Sequence, residues 1–335
     1  MKHLRKNKIA YIYLISALFL LFSAVLGIVI GATDISFADI LKAIFERSGE
    51  SAEARILWYV RFPRVLASLL CGAALSLSGA VIQGVLANRL ASPSIIGVNS
   101  GAGLAVTICA AFGIIGGWQL SLFAFVGAFI TVMIVSVGAK KWGASRGTVI
   151  LMGVALNALL GAISDTITTF SPEIAVMSND FKIGDFSSVT YTKLAPATII
   201  VLAAMAVLFT LSNELDLLTL GDENAKGLGL NTNAVRVIFL CLSAILAGAA
   251  VSIAGLLSFV GLLVPHAVRR IASAASRHLL PLCAIFGAGF VTLCDTLART
   301  LFAPYELPVG IIMAFLGAPF FIFILIKGKG GHSHA

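Results

Sequence analysis

Side chains able to do chemistry are sparse in this chain of 335 residues. Arg61 and Arg64 flank Pro63 where a long apolar run begins, and Arg299 follows Asp295 by four residues, the helical spacing of an ion pair. Asp165, Asp295 and His266 lie near the ends of other apolar runs, and ionisable groups at such depth are functional candidates by default. What they can do is bounded by what does not accompany them. No succession of Asp, Glu or His crosses any run, so the sequence offers no proton relay, and no acidic or histidine cluster at a run end offers the acid–base set of a membrane enzyme. Cys71, Cys109, Cys241, Cys283 and Cys294 lie inside runs without C-x-x-C or His spacing and read as small apolar packing residues. A G-x-x-x-x-G-K-[ST] phosphate loop is absent, so nucleotide hydrolysis would need another chain. His332 and His334 in the terminal Gly-His-Ser-His-Ala read as part of a mobile tail. The expectation is a chain that is not an enzyme and that needs no cofactor or resident metal.

The elements that position these residues are apolar to an extent foreign to soluble proteins. The chain is 59% hydrophobic and 11% charged, with a mean hydropathy of +1.03, against roughly 45–50% and 25% in soluble domains. Runs long enough to cross a hydrocarbon core, which takes about 20 helical residues, fall near 9–31, 61–83, 93–113, 118–138, 147–167, 194–212, 234–253, 255–271, 279–298 and 308–326. The first is too long for a signal-peptide core and lacks a small-residue cleavage site, so it counts as a span. Fifteen of the 23 Lys and Arg fall on the side that carries both termini, and eight on the other. The positive-inside rule therefore places both termini in the cytoplasm. The net charge of +8 is met by anionic lipid at that face and calls for no nucleic acid.

The fold class expected is all-α: a polytopic membrane protein with ten transmembrane helices. Five spans in each half, about 9–167 and 194–326, oblige the halves to lie inverted within one domain. Between them the polar "LGDENAKGLGLNTNAVR" (220–236) interrupts the apolar pattern on the cytoplasmic side. Asp222 and Glu223 suit the first turn of a short helix, Gly227 and Gly229 a left-handed stop, and Asn231, Thr232 or Asn233 the cap of the seventh span. Such punctuation fits a docked surface better than a plain connector. Ser92-Pro93 is a clean start for the third span. Gly72, Gly79, Gly84, Gly97, Gly101 and Gly103 let the second and third spans approach their neighbours closely.

Three stretches together resemble one family. "RFPRVLASLLCGAALSLSGAVIQGVLANRLASPSIIGVNSGAG" (61–103), "AGLLSFVGLLVPHAVRRI" (254–271) and "ELPVGIIMAFLGAPFFIFIL" (306–325) are similar, in this order, to the type II ABC importer permeases (FecCD-like) that take up iron–siderophore complexes, haem and cobalamin. The resemblance implies that the loop at about 213–233 couples to an ABC ATPase dimer, with contact through Gly221, Asp222, Glu223, Ala225, Gly227, Leu228 and Gly229. It implies that Arg61, Arg64 and Arg299 take salt bridges from an extracytoplasmic substrate-binding protein, and the side chains of Arg61 and Arg64 are expected to reach water. It places Ala144 and Ser145 at an inner gate, and pairs the chain with a second permease copy around a metal-chelate pathway in the cell membrane. An iron–siderophore complex is the first expectation for the cargo, with haem or cobalamin, or an ion-gradient-driven carrier, as alternatives. Two departures stand out. Asn88-Arg89-Leu90-Ala91 replaces the usual Asn-Pro-Leu-Ala and loses a rigid turn, and "MSNDFKIGDFSSVTY" (177–191) carries Phe181, Gly184 and Asp185 in place of a Trp…Gly-Ser element.

Overall fold

The computed structural model describes residues 2–46, 51–141, 146–272 and 274–329, and among them every regular element is helical. α1 (Lys2–Val29) is followed by α2 (Phe37–Glu46) and by α3 (Ala52–Arg55), which runs through a π turn (Ile56–Arg61) into α4 (Phe62–Val85). A 3-10 turn (Pro93–Ile96) leads to α5 (Val98–Ala111), α6 (Gly117–Lys141), α7 (Arg146–Phe170), α8 (Pro172–Ile183) and α9 (Tyr191–Thr210). Short α10 (Ser212–Thr219) and α11 (Asp222–Gly227) precede α12 (Thr232–Ala254), α13 (Val260–Ile271), α14 (Ser276–Thr300) and α15 (Val309–Lys329). The π turn lies where Pro63, lacking an N–H, interrupts the ladder of an otherwise continuous helix, and the wider turn absorbs the misfit.

Seven of these stretches are long and apolar enough to cross a membrane: α1, the run Ala52–Val85, α6, α7, α9, α12 and α14. Two of the expected spans are broken. The third, read as starting cleanly at Pro93, begins as a 3-10 turn, stops at Gly97 (φ +97°) and becomes helical only at Val98. The eighth, read from 255, stays non-helical until Val260 because Gly255 and Phe259 both take positive φ. At about 1.5 Å per residue α5 and α13 extend roughly 21 and 18 Å, less than the roughly 30 Å of a hydrocarbon core.

α4 is the axis of the bundle. It lies antiparallel to α14 and α12, with Ser68 Oγ 2.9 Å from Thr292 Oγ1, Ser76 Oγ donating to Cys283 O at 2.7 Å and Ser78 Oγ to Ser243 O at 2.8 Å. In lipid, apolar surface alone gives no drive to associate, so close backbone approach and buried hydrogen bonds have to hold the helices. Glycine makes the approach possible. A methyl group on Gly72 would lie 2.8 Å from the carbonyl carbon of Gly287, and one on Gly79 would collide with the backbone of Gly261. Gly84 and Gly101 pack in the same way, against Leu215 and against Gly127 and Thr131, whereas Gly103 has open space around it. α5 pairs with α6 and α7 in a second cluster, where Asn157 Nδ2 donates to Ser94 O (3.0 Å) and Ile95 O (3.2 Å). α1 lies parallel to α14, with Phe19 stacked on Phe286 at 5.1 Å.

Candidate functional site

At the end of the bundle opposite the start of α1, the close of α14 meets the start of α4. Asp295 sits between two guanidinium groups: Arg64 Nε donates to its two oxygens at 3.1 and 3.2 Å, and Arg299 Nε lies 3.3 Å away. Arg64 also donates to Glu306 Oε2 at 2.7 Å and lies 3.7 Å from Asp185. One cation thus joins α4, α14, the α8–α9 loop and the α14–α15 loop. Arg299 Nη2 reaches Gly27 O (2.9 Å), while Arg61 donates to Ile28 O, Val29 O and Thr33 O at 2.9, 2.7 and 2.5 Å. The last carbonyls of a helix lack intrahelical partners and carry partial negative charge. Two arginines from other helices therefore close the end of α1.

This arrangement corrects the expectation that Arg61 and Arg64 reach water, and it buries Arg299 as well. Their exposures are 2%, 3% and 3%, because each is consumed by internal acceptors. The i,i+4 pairing of Asp295 with Arg299 holds, and Glu306 pairs with Arg64. Asp185, noticed only as a departure, belongs to the same cluster. It also lines a cavity of about 440 Å³, with Asp180, Phe181, Lys193, Ser252 and Pro308, that opens beside the cluster. Three glycines draw the walls together: Leu256 N donates to Phe181 O (2.9 Å), Gly310 N to Gly184 O (3.2 Å), and a methyl on Gly255 would lie 2.5 Å from Phe181 O.

The other end carries the second candidate surface. Gly221 (φ +104°, ψ 155°) occupies a backbone region essentially reserved for glycine and turns the chain into α11. Asp222 and Glu223 form its first turn as expected, and Asp222 grips Arg236 on α12 at 2.7 and 2.8 Å. At the other end Leu230 N donates to Ala225 O (3.0 Å) and Gly229 N to Lys226 O (2.9 Å), the paired bonds of a Schellman stop around left-handed Gly229 (φ +85°). Gly227 differs from expectation. It is the last residue of α11 with negative φ and open space around it, since the helix needs one left-handed residue and Gly229 supplies it. Ala225 is buried, while Leu228 is 64% and Leu220 56% exposed. Asn231 caps α12 by accepting from Ala234 N at 3.2 Å. The product is a short, tied helix that presents leucines outward.

Asn88-Arg89-Leu90-Ala91 also keeps a turn despite the missing proline. Asn88 Oδ1 accepts from Leu90 N (2.9 Å), and Asn88 O from Ala91 N (3.1 Å), so a side chain does what a ring would have done. Ala144 and Ser145 lie outside the described residues. Arg236 was not singled out from the sequence; its one signal was a cation near the start of a span, where positive charge is disfavoured unless paired.

A bundle of long apolar helices, sealed by small residues and closed by a buried ion cluster, is a multi-pass membrane protein. The model of the FecCD transport family matches residues 18–327, and the chain belongs to that family. The Fe(3+)-citrate import system permease protein YfmD of Bacillus subtilis (strain 168) is 36% identical to it over 327 residues, 97% of each chain. The hemin transport system permease protein HmuU of Yersinia pestis is 35% identical over 305 residues, 89% of this chain and 90% of that one. Among solved structures, an inward-facing conformation of a metal-chelate type ABC transporter superposes with a TM-score of 0.83 at 30% identity, covering 93% of this chain and 97% of the other. The chain is thus a transport permease, a non-catalytic component of an ABC importer.

Proposed function

We propose that this permease carries an iron–siderophore complex inward, as one of two copies around a central pathway, with the α10–α11 surface in the cytoplasm. The observation that carries this reading is α11 itself: fixed by Gly221 at one end and Gly229 at the other, it is a short helix braced against α12 by the Asp222–Arg236 ion pair. A push on this helix passes into α12, which packs along α4, whereas a flexible loop would dissipate it. Exposed Leu220 and Leu228 supply the apolar contact that a docked ATPase would bury. Iron–siderophore cargo is preferred over haem or cobalamin because several relatives import chelated iron(III), YfmD among them.

The ten-helix, two-half architecture belongs to the same reading and has support in the packing. The pairing of α4 with α14 is mirrored by that of α12 with α6, α4 with α13 by α12 with α5, and α5 with α7 by α13 with α15. The broken segments occupy matching third places in the two halves, at 93–111 and 255–271. Interrupted helices in corresponding positions are the structural pointer to a transport path in inverted repeats.

For the opposite face, docking of a substrate-binding protein at Arg64 requires an incoming carboxylate to replace Glu306, whose side chain is 36% exposed. Proteoliposomes holding the permease test these assignments together. Uptake of a labelled ferric chelate is expected only with an ATPase partner, ATP and a binding protein all present, and Glu306→Gln is expected to lower the binding-protein concentration for half-maximal uptake. Uptake driven by an ion gradient without ATP contradicts the reading.

A further inference from the structure

α4 ends where Gly84 packs against Leu215 of α10, and the turn that follows carries Arg89. On α13, Arg269 and Arg270 stand three and four residues after His266, which puts the three on one helix face. The two elements converge. Arg89 and His266 line one shallow cleft with Leu90, Leu262, Phe320 and Phe321, and Arg89, Arg269 and Arg270 all lie within electrostatic reach of His266. Arg269 is held in place by Gln83 of α4, whose Oε1 accepts from its guanidinium while Nε2 donates to Gly261 O at 3.1 Å. Arg89 and Arg270 are exposed.

This cluster lacks the counter-charge of the Asp295 cluster. There Arg64 and Arg299 share Asp295, with Glu306 and Asp185 also on Arg64. Here, among the described residues, no ion pair joins Arg89, Arg269 or Arg270 to an Asp or Glu, and the charges acting on His266 are these three arginines. Charges of one sign on a partly apolar wall focus their field into the cleft and concentrate an opposite charge there. Their place in the fold is specific. Arg89 precedes the first broken segment by four residues and the other groups lie on the second. A methyl on Gly261 would lie 3.2 Å from Pro93 Cδ, so the cations flank the point where the two broken segments touch. Arg89 stands where the family usually has proline, which makes this charge a feature of this chain.

We propose that the cluster is the inner binding point of the transport path for an anionic ferric chelate, one whose iron is held by catecholates or carboxylates, with its charged oxygens on Arg89 and Arg270. The inference rests on the reading that the permease carries chelated iron, and it narrows that reading by charge. A ferric tris-catecholate is a trianion, whereas a ferric tris-hydroxamate is neutral and gains nothing from the field. Guanidinium groups grip anionic oxygens through paired, charge-assisted hydrogen bonds. A membrane lipid fits less well, because the cleft holds about 10 Å³, room for one water-sized group and not for an acyl chain.

The test measures equilibrium binding of radioiron-labelled ferric tris-catecholate and ferric tris-hydroxamate to the full-length permease in phosphatidylcholine nanodiscs. Wild type is expected to bind the tris-catecholate about a hundredfold more tightly, and Arg89→Gln/Arg270→Gln to lose most of that preference, at roughly tenfold for each charge-assisted bond removed. Arg89→Lys/Arg270→Lys keeps the charges and is expected to keep the preference. Both positions are exposed, so an unfolding midpoint equal to that of wild type is expected for each variant. Equal binding of the two complexes, binding of neither, or an unchanged preference in the glutamine variant each overturn the proposal. So does displacement of the tris-catecholate by phosphatidylglycerol added to the nanodisc, which would assign the cluster to lipid. ATP-driven uptake in proteoliposomes judges the underlying reading separately: uptake of the tris-hydroxamate in preference to the tris-catecholate would leave the iron-chelate reading standing and overturn the selection by charge.

Discussion

Asp295→Asn is expected to cost about 3–5 kcal/mol of folding stability, the range found when one partner of a buried ion pair is removed. The carboxylate is 0% exposed and stands between Arg64 and Arg299. Asparagine keeps its shape but takes away the charge that allows two buried guanidinium groups to share one pocket. Glu306 cannot substitute, because it reaches only the Arg64 branch from the cluster's outer side. The ends of α1, α4 and α14 should loosen together, since Arg299 also closes α1 through Gly27 O. Denaturant unfolding in detergent micelles measures the loss. Asp165→Asn serves as the comparison: its carboxylate is 73% exposed and lies 3.6 Å from Lys182, so its removal should cost less than about 1 kcal/mol. Equal stability of Asp295→Asn and wild type would mean that the cluster does not hold the three helices.

Gly79→Ala should be almost as damaging, at about 3 kcal/mol, the upper part of the range for overpacking a core. The new methyl meets the backbone of Gly261 rather than the tip of a side chain, so no rotamer change relieves it. α13 must then move off α4, stretching the bond from Gln83 Nε2 to Gly261 O (3.1 Å) and displacing Arg269 from Gln83. Gly103→Ala changes the same residue type in a neighbouring helix, where nothing lies within 4 Å of the added carbon. It should leave stability unchanged or raise it by up to about 1 kcal/mol, as alanine is the better helix former. The same unfolding measurement separates the two, and equal losses at both positions would refute the account of the α4 seam.

These contrasts mark how far the sequence could be read. Long apolar runs translate into helices because a backbone in hydrocarbon must satisfy its own hydrogen bonds, and each expected span does fall on a helix. The breaks at 93–97 and 255–259 were hidden. An apolar residue such as Phe259 gives no composition signal for positive φ, and its conformation follows from the packing of loops distant in sequence. The same limit governs charge: Asp295 and Arg299 lie four residues apart and were legible as a pair, whereas Arg64 and Asp295 are separated by 231 positions. Burial of the arginines could not be seen locally either, since a residue at the mouth of a span reads the same whether lipid headgroups or another helix end lies beyond it. In the 220–230 stretch the sequence offered two glycines for one left-handed stop, and only the bonds from Leu230 and Gly229 back into α11 choose Gly229.

That choice gives the most direct test of the central claim, that a separate ATPase drives this permease through α11. With the ATPase and binding protein reconstituted, labelled chelate taken up per ATP hydrolysed is compared for wild type, Gly227→Val and Gly229→Val. Valine at 229 is forced into a left-handed conformation that costs at least about 1–2 kcal/mol, so the stop should unravel while the remainder of the bundle stays folded. Valine at 227 enters a helical turn with open space around it. The account predicts a ratio near wild type for Gly227→Val and a collapse of uptake, with hydrolysis continuing or the ATPase released, for Gly229→Val. Wild-type uptake by Gly229→Val at the wild-type rate of hydrolysis would contradict it.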